Sequence, residues 1–245
     1  MAKAIILAGG KGTRLLPYTI VVPKPMLPIG DIPIIEIISR QLKFYGFDEV
    51  VISLGHLSGV IKFFLESKTG DPGLPLFSYY TEHKALGTSG SIKAIDLEEE
   101  DFLVINGDIL TTLNMREMLD AHRSRGALFT IGTRKTEYQL PLGSITLNDE
   151  GYVTEFAEKP TFEFMDNIGA YVYSKKVLEY IGPDEQIDVN ILVQRLLSDH
   201  QKVLAYRSDG PYFWIDIGTH ADYEKANNEF HKIEDQFPFL RGVAK

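Results

Sequence analysis

Lys3-Ala4-Ile5-Ile6-Leu7-Ala8-Gly9-Gly10-Lys11-Gly12-Thr13-Arg14-Leu15 is the stretch that decides how this chain is read. The unbroken apolar run 4–8 suits a strand buried on both faces of a parallel sheet, and the glycines close it abruptly. Three glycines within four positions after such a strand let backbone N–H groups converge on an anion without Cβ interference. Arg14 follows, with a guanidinium suited to phosphate oxygens. Two familiar phosphate loops fail on spacing. Thr13 stands where GxxxxGK[ST] needs Lys, and Leu15 stands where GxGxxG needs its third glycine.

Working outward, Ile34, Ile35, Ile37, Ile38 and Leu42 recur at helical spacing after Pro33. Residues 49–54 predict a strand and 57–67 a helix carrying Val60, Ile61, Phe64 and Leu65 on one side. A strand at 76–80, a short helix at 89–96 and a strand at 101–106, ending at Gly107-Asp108, follow. The aromatics Phe44, Phe63 and Phe64 read most simply as core. This alternation argues for an α/β, Rossmann-like, mixed and mainly parallel sheet flanked by helices. The pattern then changes. Short strands at 127–133, 143–147, 152–156 and 168–173, with a hairpin signal at Asn148-Asp149-Glu150-Gly151, predict a β-rich insertion that walls or covers a site. Helical patterns return at 175–181, 189–197 and 220–230, with strands at 203–207 and 212–215 between them. No linker or 20-to-50-residue repeat breaks the chain, so one domain is expected over 1–226 with a short helix or tail over 227–245.

Composition narrows the chemistry. Of 245 residues 44% are hydrophobic and 24% charged, and 34 acidic against 25 basic residues give a net charge of −9. That balance argues against a nucleic-acid binder, which shows a basic surface, but allows an anionic ligand where cations are concentrated locally. With no cysteine, disulfides, thiol nucleophiles and cysteine-ligated metals are excluded. No apolar run approaches the roughly 20 residues needed to span a bilayer, and the apolar run at the start is too short for a signal peptide. The expectation is a cytoplasmic protein with no membrane partner. The six histidines show no metal-binding spacing, and Gly87-Thr88-Ser89-Gly90-Ser91 is not a nucleophile elbow.

In Val22-Pro23-Lys24-Pro25-Met26-Leu27-Pro28 the prolines fix an extended backbone, disfavour helix and present Lys24 rigidly near the glycine loop, which suggests a charge clamp on a phosphoryl group. Gly9-Gly10-x-Gly12-Thr13-Arg14-Leu15 followed by Pro23-Lys24-Pro25 resembles the signature of the sugar-1-phosphate nucleotidylyltransferases. The resemblance continues through Leu86-Gly87-Thr88-Ser89-Gly90, Asn106-Gly107-Asp108, Phe156-Ala157-Glu158-Lys159-Pro160, Asn167-Ile168-Gly169-Ala170-Tyr171 and Trp214-Ile215-Asp216-Ile217-Gly218-Thr219, in family order from residue 3 to about 226. It implies the nucleotide-diphospho-sugar transferase fold, with the β-rich insertion as the sugar-binding part. It also implies a reaction of a nucleoside triphosphate with a sugar 1-phosphate to give an NDP-sugar and pyrophosphate. No hexapeptide repeat follows residue 226, so a short form without a C-terminal β-helix is implied, closest in pattern to mannose- or heptose-1-phosphate guanylyltransferases. Relatives of this size are often dimers, so a homodimer is one partner the resemblance suggests.

Residue by residue, the resemblance makes Arg14, Lys24 and Lys159 the catalytic cations. Leu7, Ala8, Gly9, Gly10, Gly12, Thr13, Glu82, Gly87, Thr88 and Asp108 would hold the nucleotide, with Gly87 and Gly90 letting the flat base pack against backbone. Gly143, Glu158, Lys159 and Asn167 would hold the sugar phosphate, although Leu142 stands before Gly143 where many relatives carry Tyr. Asp108 and Asp216 would bind Mg²⁺. Beside this stand plain residue arguments. Asp108 falls at the carboxyl edge of a buried strand, where open α/β sheets hold ligands, and two carboxylates suffice for one Mg²⁺ completed by phosphate oxygens and water. Adjacent Glu158 and Lys159 need a strand end or bulge to serve one ligand. The Glu82 carboxylate only accepts hydrogen bonds and so complements the paired N1–H and N2–H donors of guanine, favouring GTP over UTP, CTP or dTTP. A non-catalytic sugar-nucleotide sensor and an enzyme with an alcohol-phosphate acceptor are the competing readings.

Overall fold

The computed structural model describes residues 2–241; residues 242–245 of the expected tail lie outside that range. In chain order the elements are β1 (Ala2–Ala8), β2 (Pro28–Ile29), β3 (Ile32–Pro33), α1 (Ile34–Phe44), β4 (Phe47–Leu54), α2 (Ser58–Ser67), β5 (Leu76–Thr81) and α3 (Gly87–Lys93). They continue with β6 (Asp101–Asn106), β7 (Ile109–Thr111), α4 (Met115–Arg125), β8 (Phe129–Gln139), β9 (Ser144–Leu147), β10 (Val153–Ala157) and β11 (Thr161–Ser174). The last are α5 (Val189–Ser198), β12 (Val203–Tyr206), β13 (Trp214–Asp216) and α6 (His220–Ile233).

A seven-stranded sheet in the order β12-β8-β11-β6-β1-β4-β5 forms the centre. β1 runs parallel to both β4 and β6, while β11 is antiparallel to β6 and β8. The expected mixed, mainly parallel sheet is therefore present. Apolar residues on alternate sides of β1 explain why it is covered twice: Ala4, Ile6 and Ala8 face a core built with α1, α2, α4 and α6, and Ile5 faces another that includes Ile92 of α3 and Leu192 of α5. Residues 175–180 form a 3₁₀ helix on that second side. α6 runs through residue 226, and Phe230, Phe237, Phe239 and Leu240 are buried in the first core. Among the described residues no helix is long and apolar enough to cross a membrane.

Three sequence expectations need correction. Phe44 and Phe63 are exposed, not core, because the buried stripes of α1 and α2 run through Ile34–Leu42 and through Ile61 and Leu65. Val60 likewise faces solvent. Lys24-Pro25-Met26 makes one 3₁₀ turn, since Pro23 alone stays extended and Pro25 is tolerated at the start of a helical turn. α4 was not expected at all.

The β-rich insertion also has a simpler shape than separate short strands. β8 and β11 pair from Thr133↔Asn167 to Gln139↔Thr161, Leu140 N–H donates to the Pro160 carbonyl at 3.0 Å, and β9 and β10 pair from Ser144↔Ala157 to Leu147↔Val153. Residues 133–167 thus form one long two-stranded arm, interrupted around 141–143 and 158–160.

One buried group carries a pH prediction. His122 on α4 is almost fully buried, with Nδ1 2.7 Å from Thr130 Oγ1 and Nε2 3.2 Å from Ser174 Oγ. Burial pushes its pKa down, outweighing the nearby Asp101 charge. The folded state therefore resists a proton that the unfolded chain accepts below about pH 6.5. Stability from this group is complete above that pH and is lost as pH falls toward the depressed folded value. Thermal melts over the two units from about pH 7.5 to about pH 5.5 are expected to show a steeper fall for the native chain than for His122→Asn; equal slopes would refute the assignment.

Candidate active site

The carboxyl ends of β1 and β6 lie side by side, with Leu7 paired to Asn106. Gly107 N–H donates to the Leu7 carbonyl at 2.9 Å, and Asp108 follows immediately. β7 then pairs antiparallel with β13, placing Asp216 opposite Ile109, and Ile217 N–H donates to the Asp108 carbonyl at 3.0 Å. This small second sheet is what brings together two aspartates more than a hundred residues apart.

Lys24 meets both. Its Nζ lies 2.5 Å from Asp108 Oδ2 and 4.0 Å from Asp216 Oδ1, with the lysine side chain only 10% exposed. Burial first, and the Asp108 charge second, push the Asp216 carboxyl above its ordinary value, while Lys24 and Arg14 pull it down. Arg14 is exposed, yet its Nη1 and Asp216 Oδ2 flank the same glycine: a Cβ on Gly218 would stand 3.5 Å and 3.3 Å from them. Gly12 holds a left-handed φ of +61°, and Thr19 Oγ1 donates to its carbonyl at 2.9 Å. The glycine loop is thereby tied to the segment that ends in Lys24.

The chemistry of this donor set fits a divalent cation. Asp108 Oδ1 is buried and has no hydrogen-bond partner among the described residues, while Asp216 offers a second carboxylate. Among the described residues no group of three or more candidate ligands occurs, so two carboxylates would leave the other positions to phosphate oxygens and water.

Leu7, Gly9, Gly10, Glu82, Gly87, Thr88 and Asp108, all expected at the nucleotide, line one cavity of about 280 Å³. Ala8 is buried in the first core, and Ala8, Gly12 and Thr13 stand outside the cavity lining. Ser53 Oγ donates to Glu82 Oε1 at 3.1 Å, which fixes the carboxylate against Gly9. Ala85, Ser91, Asn106 and Asp188 also line the cavity and were not among the expected site residues. Asp188 Oδ1 accepts from Thr88 N–H at 3.0 Å, and Thr88 Oγ1 accepts from Val189 N–H at 2.9 Å. An aspartate just before a helix was the visible signal for Asp188, but nothing local says that it faces this cavity. Gly87 and Gly90 also make a close contact within the fold: a Cβ on either would strike the Ile187 or Glu185 carbonyl, at 2.6 Å and 2.3 Å. They let α3 pack closely against the 185–188 segment.

The sugar residues lie on the arm and do not line the cavity. Gly143 faces Glu158, whose Oε2 would be 3.2 Å from a Cβ there. β10 ends at Ala157, and Lys159 takes a left-handed φ of +46° at the interruption, so Glu158 and Lys159 stand at the strand end their adjacency requires. Both are exposed, and neither forms an ion pair among the described residues. Asn167 is committed internally, its Nδ2 donating to Tyr171 Oη at 2.9 Å and its Oδ1 accepting from Gly169 N–H at 3.0 Å across a register shift in β11.

Residues 3–233 match the family model described as Nucleotidyl transferase. The chain belongs to that family. It is 32% identical over 244 residues to a UTP–glucose-1-phosphate uridylyltransferase of Synechocystis sp., covering 91% of this chain and 62% of the relative. It is also 32% identical over 250 residues to a mannose-1-phosphate guanylyltransferase of Mycobacterium tuberculosis, covering 98% of this chain and 67% of the relative. This nucleotidyl transferase therefore spans about three fifths to two thirds of the length of those curated relatives. Its fold is similar to the crystal structure of HddC from Yersinia pseudotuberculosis complexed with GMP-PN, with a TM-score of 0.70 and 26% identity over 94% of this chain and 100% of that one.

Proposed function

We propose that this nucleotidyl transferase is a sugar-1-phosphate nucleotidylyltransferase that joins a nucleoside triphosphate, GTP by preference, to a sugar 1-phosphate and releases pyrophosphate. The observation that carries the reading is the meeting of Lys24, Asp108 and Asp216 beside the glycine loop, with Asp108 also lining the cavity that holds Glu82. The sugar phosphate oxygen attacks the α-phosphorus in line, the bond to pyrophosphate breaks, and no bond to the protein forms. Catalysis is then positioning and charge neutralisation. Lys24 stabilises the transferring phosphoryl group and Arg14 the departing pyrophosphate, while Lys159 holds the attacking phosphate. Glu158, the Gly143 backbone and Asn167 take the sugar. Asp108 and Asp216 hold Mg²⁺, which when bound offsets the negative charge of the phosphates.

The relatives differ in base, uridylyl in one and guanylyl in the other, so the base reading rests on Glu82. One carboxylate oxygen accepts from Ser53, and the group retains acceptor capacity but no donor for a base edge when ionised. Guanine offers two neighbouring donors. Glu82→Gln loses a charged acceptor worth about 1.5–3 kcal/mol, so the GTP-over-UTP ratio of kcat/KM is expected to fall roughly 10- to 100-fold. Pyrophosphate release with GTP, UTP, CTP, dTTP and ATP against a set of sugar 1-phosphates measures it. Dominance of UTP or CTP in the native chain would overturn the base reading. Tight binding of finished NDP-sugars with no turnover would favour the sensor.

A further inference from the structure

Arg134 is held in a way that leaves its hydrogen-bonding groups idle. It stands on β8 next to Thr133, and its guanidinium lies over the Trp214 ring, 4.4 Å from the centroid. Its Nε is buried and has no hydrogen-bond partner among the described residues. Asp166 Oδ2, at 3.9 Å, is beyond hydrogen-bond reach and already accepts from Thr136 Oγ1. A guanidinium carries five donors in a planar fork, and stacking on an aromatic face uses none of them. The stack fixes the plane, so the unused edge is ready for two oxygens of one oxyanion.

Arg134 lines a cavity of about 380 Å³ between the base of the arm and the loop 207–212. Arg207 and Lys135 line it as well, against a single carboxylate, Asp209. Lys135 is already paired with Glu137 at 2.9 Å and Glu163 at 2.5 Å, which leaves two arginines facing one aspartate. The walls are fixed by hydrogen bonds. Thr133 Oγ1 donates to the Tyr206 carbonyl at 2.8 Å, Tyr212 Oη to the Thr133 carbonyl at 3.0 Å, and Trp214 Nε1 to the Ile168 carbonyl at 2.8 Å. In a chain of net charge −9, such a local surplus of cations favours an anionic ligand.

The segment 167–169 ties this cavity to the aspartate cluster. On one side the Ile168 carbonyl takes the Trp214 indole. On the other, a Cβ on Gly169 would lie 2.7 Å from Asn106 Nδ2, two residues before Asp108. Trp214 and Asp216 are alternate residues of β13 and so point to the same side of that strand. We propose that the Arg134–Arg207 cavity receives a second acidic group of the acceptor, a carboxylate or phosphate carried by the sugar 1-phosphate away from the reacting phosphate. The acceptor is then an acidic sugar 1-phosphate, and a neutral sugar leaves both arginines without an oxyanion. The placing of the acceptor rests on the proposed function; the oxyanion site itself does not.

Trp214 is the only tryptophan of the chain, so its fluorescence reports on the guanidinium stacked against it. The full chain with Mg²⁺ is titrated with glucose 1-phosphate, glucuronic acid 1-phosphate and glucose 1,6-bisphosphate. Each titration is run with and without α,β-methylene-GTP, whose α–β link does not break. At least one acidic probe is expected to bind roughly 10- to 100-fold tighter than glucose 1-phosphate, and the tighter of the two tells carboxylate from phosphate. Arg134→Gln is expected to abolish that margin, and Arg134→Lys, which keeps the charge but loses the fork, to reduce it. Arg125→Gln, at an exposed arginine on α4, is expected to keep it. Circular dichroism is the fold control, and Arg207→Gln carries the same expectation should Arg134→Gln fail to fold. Three outcomes overturn the proposal: no probe binding tighter than glucose 1-phosphate, a margin that survives Arg134→Gln, or inorganic phosphate alone binding as tightly as the acidic sugars. The last would make this a site for a free anion. If the margin holds and no acceptor turns over with any nucleoside triphosphate, the function reading falls while the oxyanion site stands.

Discussion

Lys24→Met is expected to lower kcat by about 10²- to 10³-fold while leaving the chain folded, because one preorganised charge contact in a catalytic site contributes about 2.7–4 kcal/mol to the barrier. The side chain is nearly enclosed and bridges Asp108 and Asp216, so water cannot replace it at low cost. Methionine keeps most of the volume. Asp108→Asn is expected to cost a similar factor, since it disrupts the partner of Lys24 and weakens the buried Oδ1 as a metal ligand. The two losses should not add. Groups that act as a unit share one effect, so the double variant is expected near either single variant. Steady-state pyrophosphate release, with circular dichroism as the fold control, decides it. Near-normal turnover in either single variant would remove the Lys24–Asp108–Asp216 cluster from the mechanism.

Gly55→Ala is the second large expected effect, at a residue with no functional group. Gly55 follows β4 and abuts the glycine loop: a Cβ there would lie 2.5 Å from the Gly9 carbonyl oxygen and 2.8 Å from its Cα. Both contacts are backbone, so no side-chain rotamer can relieve them. The loop must move instead, and displacement of about 1 Å in a positioning element can cost about 10²-fold. A fall in kcat/KM of roughly 10- to 100-fold is expected, with overpacking of about 1–3 kcal/mol lowering Tm by several degrees. Gly59→Ala in α2 is the matched control. Its Cβ would meet nothing within 4 Å, and alanine there is expected to be neutral or slightly stabilising. An active Gly55→Ala chain would show that the loop tolerates displacement.

Gly55 also marks where the sequence stops being legible. The inner strands β1, β4 and β6 were readable because continuous apolar runs ended at glycine, and the Asp108 end of the cluster followed from them. Asp216 was placed by a motif, but its approach to Asp108 depends on the three-residue pairing of β7 with β13, which has no local signature. α4 escaped because charged residues dominate its outer face, leaving only Met115, Met118, Leu119 and His122 as the buried stripe. Its ends were nonetheless marked: Asn114 accepts from Arg116 and Glu117 N–H at 3.0 Å and 3.3 Å, and Gly126 closes it in a left-handed conformation. The arm escaped for another reason. Its strands expose both faces, so hydrophobic alternation did not extend the readings at 127–133 and 168–173 to the full β8 and β11. Phe63 shows the converse error, an aromatic at helical spacing on an exposed face.

Phosphorus NMR of a mixture of this chain, Mg²⁺, GTP and a sugar 1-phosphate panel measures the central claim most directly, since it follows both products at once. The account expects NDP-sugar and pyrophosphate resonances to grow together in equal amounts, and Lys24→Met to suppress both. Inorganic phosphate or a nucleoside monophosphate appearing without NDP-sugar would contradict it, because the α-phosphoryl group would then be passing to water.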